Sequence, residues 1–200
     1  MATLIHLVRH AEVHNPRNVW YGRLDGFHLS ERGLRQAETL GEHFASQDLA
    51  AVYCSPLERA WQTAEAIAKP KGLDIVPEPD IIESETRLEG KYGDLRLFRN
   101  PLNLRFFINP YRPSWGESYT AIAERMLSAV ERMRTKHEGE EVVAVSHMTP
   151  IAVARLRAEG GRRPAWRSRV RCARGSITTL EFDGERLVGT RYDDFASRVS

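Results

Sequence analysis

The sequence predicts an α/β fold with three layers, α/β/α, in which a mostly parallel central sheet is covered by helices on both faces. Short apolar runs that do not alternate with polar residues are typical of strands buried on both faces. Segments with apolar residues at three- and four-residue steps follow these runs, as expected for helices that cross between parallel strands. The 200 residues, 42% hydrophobic and 28% charged, suffice for one domain with its own core.

Three strands and two helices are predicted in the first half of the chain. Residues 3–8, 51–54 and 73–76 are mainly apolar runs of strand length. Ser30 precedes a segment with apolar residues at helical spacing, which predicts a helix beginning there. In Ser55-Pro56-Leu57-Glu58, a serine suited to N-capping is followed by proline and then by glutamate at the third position. A second helix is therefore predicted to begin at Ser55.

The second half begins with a segment, about 78–113, that shows no regular pattern. It is rich in proline, arginine and aromatic residues, and we predict that it forms a cap inserted into a single domain spanning 1–200. Ser114-Trp115-Gly116-Glu117 has the pattern of a capping box and predicts a helix that ends at Gly139. The remaining predicted elements are a strand at 142–145, a helix from Thr149 to Gly160 and a C-terminal hairpin at about 176–192.

The composition argues against several classes of protein. Neither disorder nor a membrane span fits this balance of hydrophobic and charged residues. The first apolar run is interrupted by His6 and ends at Arg9, so it does not resemble a signal peptide. Two isolated cysteines, Cys54 and Cys172, are predicted to be free thiols in a reducing compartment. We therefore expect a cytoplasmic globular protein.

The charge distribution gives little support for nucleic-acid binding. The formal net charge of +2 is too small to indicate such a partner by itself. Arginines are concentrated in the segment 155–174: Arg155, Arg157, Arg162, Arg163, Arg167, Arg169, Arg171 and Arg174. We interpret them as a solvated basic face, because no aromatic interleaving or recognised nucleic-acid module accompanies them. A patch that attracts an anionic substrate or nucleic acid is the alternative.

Arginine and histidine residues follow three of the predicted strands. Arg9 and His10 end the first, Arg59 lies in the first turn of the helix after the second, and His147 follows the strand at 142–145. The carboxyl ends of parallel strands meet at one edge of a sheet, so we expect these side chains to lie together beside anion-attracting helix N-termini. Arginine forms paired, charge-assisted hydrogen bonds with phosphoryl groups. The sequence therefore predicts a phosphate pocket.

A histidine in such a pocket can act as a nucleophile. Neutral imidazole has a pKa of about 6.5 and needs no separate base near neutral pH. Its attack on phosphorus would give a phosphohistidine that water then hydrolyses, while the second histidine and the arginines stabilise the phosphoryl oxygens. The leaving alcohol needs a proton donor, and the three glutamates of residues 81–90 are candidates.

The chain resembles the histidine phosphatase superfamily, also called the phosphoglycerate mutase-like family, up to about Phe182. The motifs that carry the resemblance lie at 7–12, 22–33, 55–64, 116–118 and 145–147. Ala11 stands where the family usually has glycine. The chain is most similar to small actinobacterial members, and the resemblance implies a phosphoglycerate mutase-like fold and phosphoryl-transfer chemistry.

The resemblance also implies a role for each site residue. His10 would be the phosphorylated nucleophile, and Glu83, which follows Ile81-Ile82, would be the catalytic proton donor. The phosphoryl group would be bound by Arg9, Asn15, Arg59 and His147, the last with a catalytic role as well. The spacing after Glu83 is one residue shorter than is usual in the family, which leaves Glu85 as the alternative donor.

These observations predict a metal-independent phosphomonoester hydrolase that acts through a phosphohistidine. The arginines and aromatic residues of the cap indicate an acidic small-molecule phosphate as substrate, with no cofactor, nucleic acid or membrane as partner. A mutase that returns the phosphoryl group to a second hydroxyl is one alternative. A non-catalytic phospholigand-binding protein is another. The oligomeric state is left open, with a homodimer as one option.

Overall fold

The computed structural model describes residues 1–100, 102–103, 116–161 and 171–199. In this part of the chain, the strands are β1 (Thr3–Arg9), β2 (Leu49–Cys54), β3 (Ile75–Pro77), β4 (Glu141–Ser146), β5 (Ile177–Asp183) and β6 (Arg186–Asp193). The helices are α1 (Glu31–Ala45), α2 (Glu58–Ala68), α3 (Tyr119–Lys136) and α4 (Met148–Ala158).

The six strands form one mixed sheet in the order β3-β2-β4-β1-β5-β6. The four strands β3, β2, β4 and β1 are parallel, whereas β5 and β6 run antiparallel to their neighbours. The predicted α/β fold with a mostly parallel sheet is therefore confirmed. β5 and β6 pair from Ile177 with Asp193 to Asp183 with Arg186, at the place where the sequence predicts a C-terminal hairpin.

Helices cover both faces of the sheet and bury it completely at its centre. On one face, α3 and α4 pack Met126, Ile151 and their neighbours against Ile5 and Leu7 of β1. On the other face, α1 and α2 pack against Val8. Because adjacent residues of β1 point to opposite faces, a continuous apolar run is what this strand requires.

The strand register brings three chain segments to the same edge of the sheet. Arg9, the last residue of β1, pairs with Ser146, the last residue of β4, and Cys54 at the end of β2 pairs with Val145. The residues that follow these strands therefore lie side by side. This is the edge at which ligands bind in open α/β sheets.

Two of the predicted helix starts are wrong. α2 begins at Glu58 rather than Ser55, and its N-cap residue, Leu57, makes no side-chain capping bond. α3 begins at Tyr119, where the hydroxyl of Ser118 accepts a hydrogen bond from the backbone of Ala121 at 3.1 Å. The predicted cap residue Ser114 lies outside the described residues. By contrast, Ser30 caps α1 as predicted, accepting from the backbone of Gly33 at 3.0 Å.

The region predicted as a cap is described only in part. Its first portion contains two short 3-10 turns, Pro79–Ile81 and Leu95–Arg99, while residues 101 and 104–113 lie outside the described part. Residues 162–170 of the arginine-rich segment also lie outside it. No helix among the described residues combines the length and apolarity needed to cross a bilayer.

Candidate active site

Three residues extend the ends of parallel strands and form the floor of the candidate site. The backbone N–H of His10 donates to the carbonyl of Ser146 at 3.0 Å, and that of Ser55 donates to Val145 at 3.0 Å. His147 directly follows β4 and is the N-cap residue of α4. All three side chains are buried. The strand-end reasoning thus correctly places His10 beside His147, with their ring centroids 5.1 Å apart.

The imidazole of His10 is held in one orientation by its own backbone neighbour. Nδ1 lies 2.7 Å from the carbonyl oxygen of Ala11, which can only accept a hydrogen bond. Nδ1 must therefore carry the proton of the neutral ring, which leaves Nε2 with a free lone pair. Nε2 is the nitrogen available for attack on an electrophile.

His147 is anchored through the opposite nitrogen. Its Nε2 lies 2.7 Å from the hydroxyl of Ser55, while its buried Nδ1 has no hydrogen-bond partner in the described part of the chain. If the Ser55 hydroxyl donates to Nε2, the proton of the neutral ring lies on Nδ1. Nδ1 is then a buried hydrogen-bond donor that lacks an acceptor among the described residues. Such a donor destabilises the folded protein unless a ligand accepts its hydrogen bond.

Arg9 and Arg59 add two guanidinium groups to the same site. Arg9 donates through Nη1 to the carbonyl of Cys172 at 2.6 Å, and Arg59 donates through Nη2 to the carbonyl of Gly22. The Nε atoms of both arginines are buried and have no partner among the described residues. Unpaired guanidinium N–H groups in a buried position are complementary to the oxygens of an anion.

The pKa values of the two histidines respond to burial and to the charges of the two arginines. Burial first, and then the charges of Arg9 and Arg59, hold the pKa of His10 well below its usual value. Burial lowers the pKa of His147 as well, with further contributions from His10, Arg59 and Arg9. Both rings are therefore neutral at neutral pH, the state that a nucleophilic imidazole requires.

These lowered pKa values predict a pH-dependent stability. Below about pH 6.5 the histidines of the unfolded chain become protonated, whereas buried His10 and His147 resist protonation. The free energy of unfolding therefore decreases as the pH is lowered. Each ring contributes a slope of up to about 1.4 kcal/mol per pH unit until its own folded-state pKa is reached. Urea unfolding between about pH 7 and about pH 5 measures this slope.

The variant His10→Asn is the control for this prediction. It removes one of the imidazoles that resist protonation, while His147 and His6, whose pKa values burial also lowers, remain. The decline of stability over the same pH range should therefore be shallower. Carboxylates with lowered pKa values, such as Glu117, contribute only at more acidic pH and do not interfere. An equal slope in both proteins would show that His10 titrates normally.

Asn15 lies in the loop after β1, and its side-chain amide forms two hydrogen bonds within that loop. Its side-chain nitrogen donates to the carbonyl of Val19 at 2.9 Å, and its Oδ1 accepts from the backbone of Val19 at 3.1 Å. These two bonds close the loop. A phosphate contact by Asn15 would have to use its second amide hydrogen.

Glu83 is one of the acidic residues whose charge acts on the guanidinium of Arg59, together with Glu58 and Glu89. Burial lowers the pKa of Arg59, and the negative charge of Glu83 is among the charges that oppose this shift. The half-buried Glu83 carboxylate accepts hydrogen bonds at Oε1 from the backbone and hydroxyl of Ser84, at 2.8 and 3.2 Å. Its other oxygen, Oε2, takes part in neither bond. The side chain of Glu85 is exposed.

The segment before Glu83 is fixed by ionic and backbone contacts. Arg125 donates to the carbonyls of Asp80 and Ile82 at 2.6 and 2.7 Å and forms an ion pair with Glu117. Arg23 donates to the carbonyl of Glu83 at 2.7 Å. The backbone that carries the Glu83 side chain is therefore held by the surrounding chain.

Tyr21 and Ser55 also contact the site residues, although the sequence did not predict that they would. The ring of Tyr21 lies edge-on to His10, with centroids 6.4 Å apart, and the guanidinium carbon of Arg59 lies 4.8 Å from its centroid. This cation–π contact helps to hold Arg59 in place. Ser55 immediately follows β2, as His10 follows β1 and His147 follows β4, and this shared position is a signal that could have identified it.

The fold and this site define a class of protein in which a neutral, oriented imidazole lies beside guanidinium groups that are complementary to an anion. The chain belongs to the histidine phosphatase superfamily (branch 1), whose family model matches residues 5–194. The family predicted from the sequence is thus confirmed, and with it the class of enzyme, a phosphatase.

Individual proteins are similar to this chain over most of its length. The chain is 44% identical over 200 residues to the uncharacterized protein Rv0525 of Mycobacterium tuberculosis, with 98% of both chains covered. It is 35% identical over 150 residues to phosphoserine phosphatase 1 of Hydrogenobacter thermophilus, covering 72% of this chain and 71% of that one. The solved structure of YhfR from Bacillus stearothermophilus has a TM-score of 0.81 and 28% identity, covering 92% and 94% of the two chains.

Proposed function

We propose that this protein hydrolyses phosphomonoesters through a phosphohistidine formed on Nε2 of His10. The observation that carries the proposal is a set of three buried nitrogens that have no hydrogen-bond partner in the described part of the chain: Nε of Arg9, Nε of Arg59 and Nδ1 of His147. They belong to the side chains that surround the His10 ring. A phosphoryl group supplies the acceptor oxygens that such donors need.

In the first step, the lone pair of His10 Nε2 attacks phosphorus and the bond from phosphorus to the ester oxygen breaks. The departing oxygen keeps the electron pair and takes a proton from the carboxylic acid of Glu83. Arg9, Arg59 and His147 stabilise the charge on the three non-bridging oxygens, where most of the catalytic effect in phosphoryl transfer arises.

In the second step, water attacks the phosphohistidine. The Glu83 carboxylate, now without its proton, accepts one from the water as the oxygen–phosphorus bond forms. The bond between phosphorus and Nε2 breaks, and the electron pair returns to the imidazole. The products are inorganic phosphate and the original enzyme, in which Glu83 is again an acid.

Glu83→Gln tests the identity of the proton donor. We expect turnover of an alkyl phosphate such as phosphoserine to fall by about 10²–10⁴-fold, because the alkoxide would leave without a proton. Release of p-nitrophenolate in the first turnover should fall much less, since p-nitrophenolate is a stable leaving group that departs without a proton. Because Glu83 is also the base in the second step, which both substrates share, the difference is measured as release of serine and of p-nitrophenolate within the first turnover.

Glu85→Gln is the matched control, because it makes the same change two residues away on an exposed side chain. It should leave both substrates unaffected. If Glu85→Gln instead produced the selective loss on phosphoserine, Glu85 would be the donor and the assignment of Glu83 would be wrong.

Ser55→Ala tests whether Ser55 orients His147. Without the hydroxyl, the buried Nε2 has no partner and the ring can change tautomer, so we expect kcat to fall by about tenfold or more. Thr178→Val is the control: Thr178 is also buried, and its hydroxyl has no hydrogen-bond partner among the described residues. Similar kcat losses in both variants would indicate general damage to the core rather than a role for Ser55.

We further propose a small acidic phosphomonoester as the substrate class, with phosphoserine as the first compound to test. Two arginines in the pocket favour an anionic group, and a relative that is 35% identical bears the name phosphoserine phosphatase 1. Release of free phosphate from phosphoserine supports this assignment. Recovery of the phosphoryl group on a second hydroxyl of an acceptor would instead indicate a mutase.

A cytoplasmic location is part of the same proposal. Cys54 and Cys172 are free thiols, and burial raises the pKa of both, which makes them poorly reactive. Two unpaired cysteines are what a reducing compartment permits. A fluorescent fusion that was secreted rather than retained would contradict this location.

A further inference from the structure

A second cleft, with a volume of about 680 Å³, lies on the α1 face of the sheet. The register places His6, Thr179 and Arg191 in one row across β1, β5 and β6, and these three residues line the cleft. His43 and Gln47 at the end of α1 form one wall. None of the lining residues belongs to the candidate active site, and the volume is typical of small-molecule pockets.

The floor of this cleft is polar at a position where the sheet would otherwise be apolar. His6 shares its face of β1 with Val8, and its direct neighbour on β4 is Val143. Yet the imidazole is only 6% exposed, with Nδ1 2.9 Å from the Thr179 hydroxyl and Nε2 3.4 Å from a carboxylate oxygen of Glu141. The longer contact is a weak bond that another group can replace.

Charges of both signs converge on this imidazole. Burial lowers the pKa of His6, and the positive charge of Arg191 lowers it further, whereas the carboxylate of Glu141 raises it. The imidazole is therefore close enough to both charged groups to be influenced by them. Arg191 is 64% exposed and lies 3.9 Å from Glu181, at the limit of an ion pair. Asp193 lines the cleft as well, but one of its oxygens already accepts a hydrogen bond from the backbone of Phe195.

This arrangement discriminates between classes of ligand. A simple anion would meet the two carboxylates of Glu141 and Asp193, and a simple cation would meet the guanidinium of Arg191. Neither could match the whole cleft. A molecule that carries both charges satisfies both sides, and the apolar side chains of Leu4 and Ile177 can receive a short apolar substituent.

We propose that this cleft binds a small zwitterion of the amino-acid type, whose carboxylate pairs with Arg191 and whose ammonium group pairs with Glu141. The neutral imidazole of His6 lies between the two charges and can hydrogen-bond either group. Binding here is independent of the phosphoryl pocket and does not require the proposed phosphatase chemistry.

The test follows the imidazole signals of the histidines by NMR while phenylalanine or leucine is added to the full-length protein. We expect the signals of His6 and His43 to shift, and those of His10 and His147 to stay unchanged. Phenethylamine and 3-phenylpropanoate, which each lack one of the two charges, should bind at least about tenfold more weakly than phenylalanine.

Two variants locate the binding. Arg191→Ala and Glu141→Gln should each weaken phenylalanine binding by about tenfold, while Arg186→Ala, on the same strand but outside the cleft, should not. Arg191 is exposed on an edge strand, so its replacement is not expected to affect folding. The proposal is wrong if neither amino acid shifts His6 and His43 below about 10 mM. It is also wrong if the single-charge analogues bind equally well, or if Arg191→Ala binds like the wild type.

Discussion

Replacing His10 with asparagine is expected to lower the turnover of p-nitrophenyl phosphate by about 10⁴-fold or more. Asparagine can still donate a hydrogen bond to the carbonyl of Ala11, as Nδ1 of His10 does at 2.7 Å. It cannot supply Nε2, however, so no covalent intermediate can form. The remaining pocket can bind phosphate but cannot divide the displacement into two steps.

Binding and folding measurements show whether this loss is chemical. The His10→Asn protein should unfold cooperatively near the wild-type temperature and should still bind inorganic phosphate, because Arg9, Arg59 and His147 are intact. A variant that retained substantial turnover would show that His10 is not the nucleophile. Loss of activity together with loss of folding would require a second replacement, His10→Gln, to separate the two effects.

Replacing Arg59 with lysine is expected to lower kcat/KM by about 10²–10³-fold, although the positive charge is kept. Arg59 is 1% exposed and makes two contacts, with the carbonyl of Gly22 and with the ring of Tyr21, while its Nε has no partner among the described residues. Lysine is shorter and presents a point charge rather than a planar fork, so it cannot make these contacts and also reach a phosphoryl oxygen. The inhibition constant for vanadate should rise in parallel with the loss of kcat/KM.

Arg132→Lys provides the matched control for this replacement. Arg132 is half exposed and pairs with Glu78 and Asp80 on the surface, so the same change there should leave both kcat/KM and vanadate inhibition unaltered. If Arg59→Lys were as active as Arg132→Lys, phosphoryl binding would not depend on the guanidinium of Arg59.

Most of the fold could be predicted from the apolar patterns of the sequence. The juxtaposition of the two histidines could be predicted because each follows the end of a strand. His10 and His147 are both preceded by continuous apolar runs, and parallel pairing places the ends of such strands at the same edge. Ser55 occupies the equivalent position after β2, but the sequence around it also matches a helix N-cap, and it is therefore predicted to cap a helix rather than to contact His147. Serine is common in both settings, and only the 2.7 Å contact with His147 distinguishes them.

The sequence alone does not distinguish Glu83 from Glu85 as the proton donor. Glu83 and Glu85 are two residues apart in an irregular segment, where no helical or strand period indicates which side chain points inward. Long-range contacts decide this, because Arg125 and Arg23 bind the backbone at 80–83 and place Glu83 within the electrostatic reach of Arg59. The interaction of Tyr21 with Arg59 is likewise a product of loop packing.

The most direct test of this account is the identity of the phosphorylated atom. The protein is mixed with radiolabelled substrate, quenched in alkali within the first turnover, and digested for analysis of phosphohistidine isomers. Because Nδ1 of His10 is committed to the carbonyl of Ala11, the account predicts that the label is on Nε2 of His10 and is absent from His10→Asn. Label on Nδ1, on another residue, or on none at all during active turnover would contradict it.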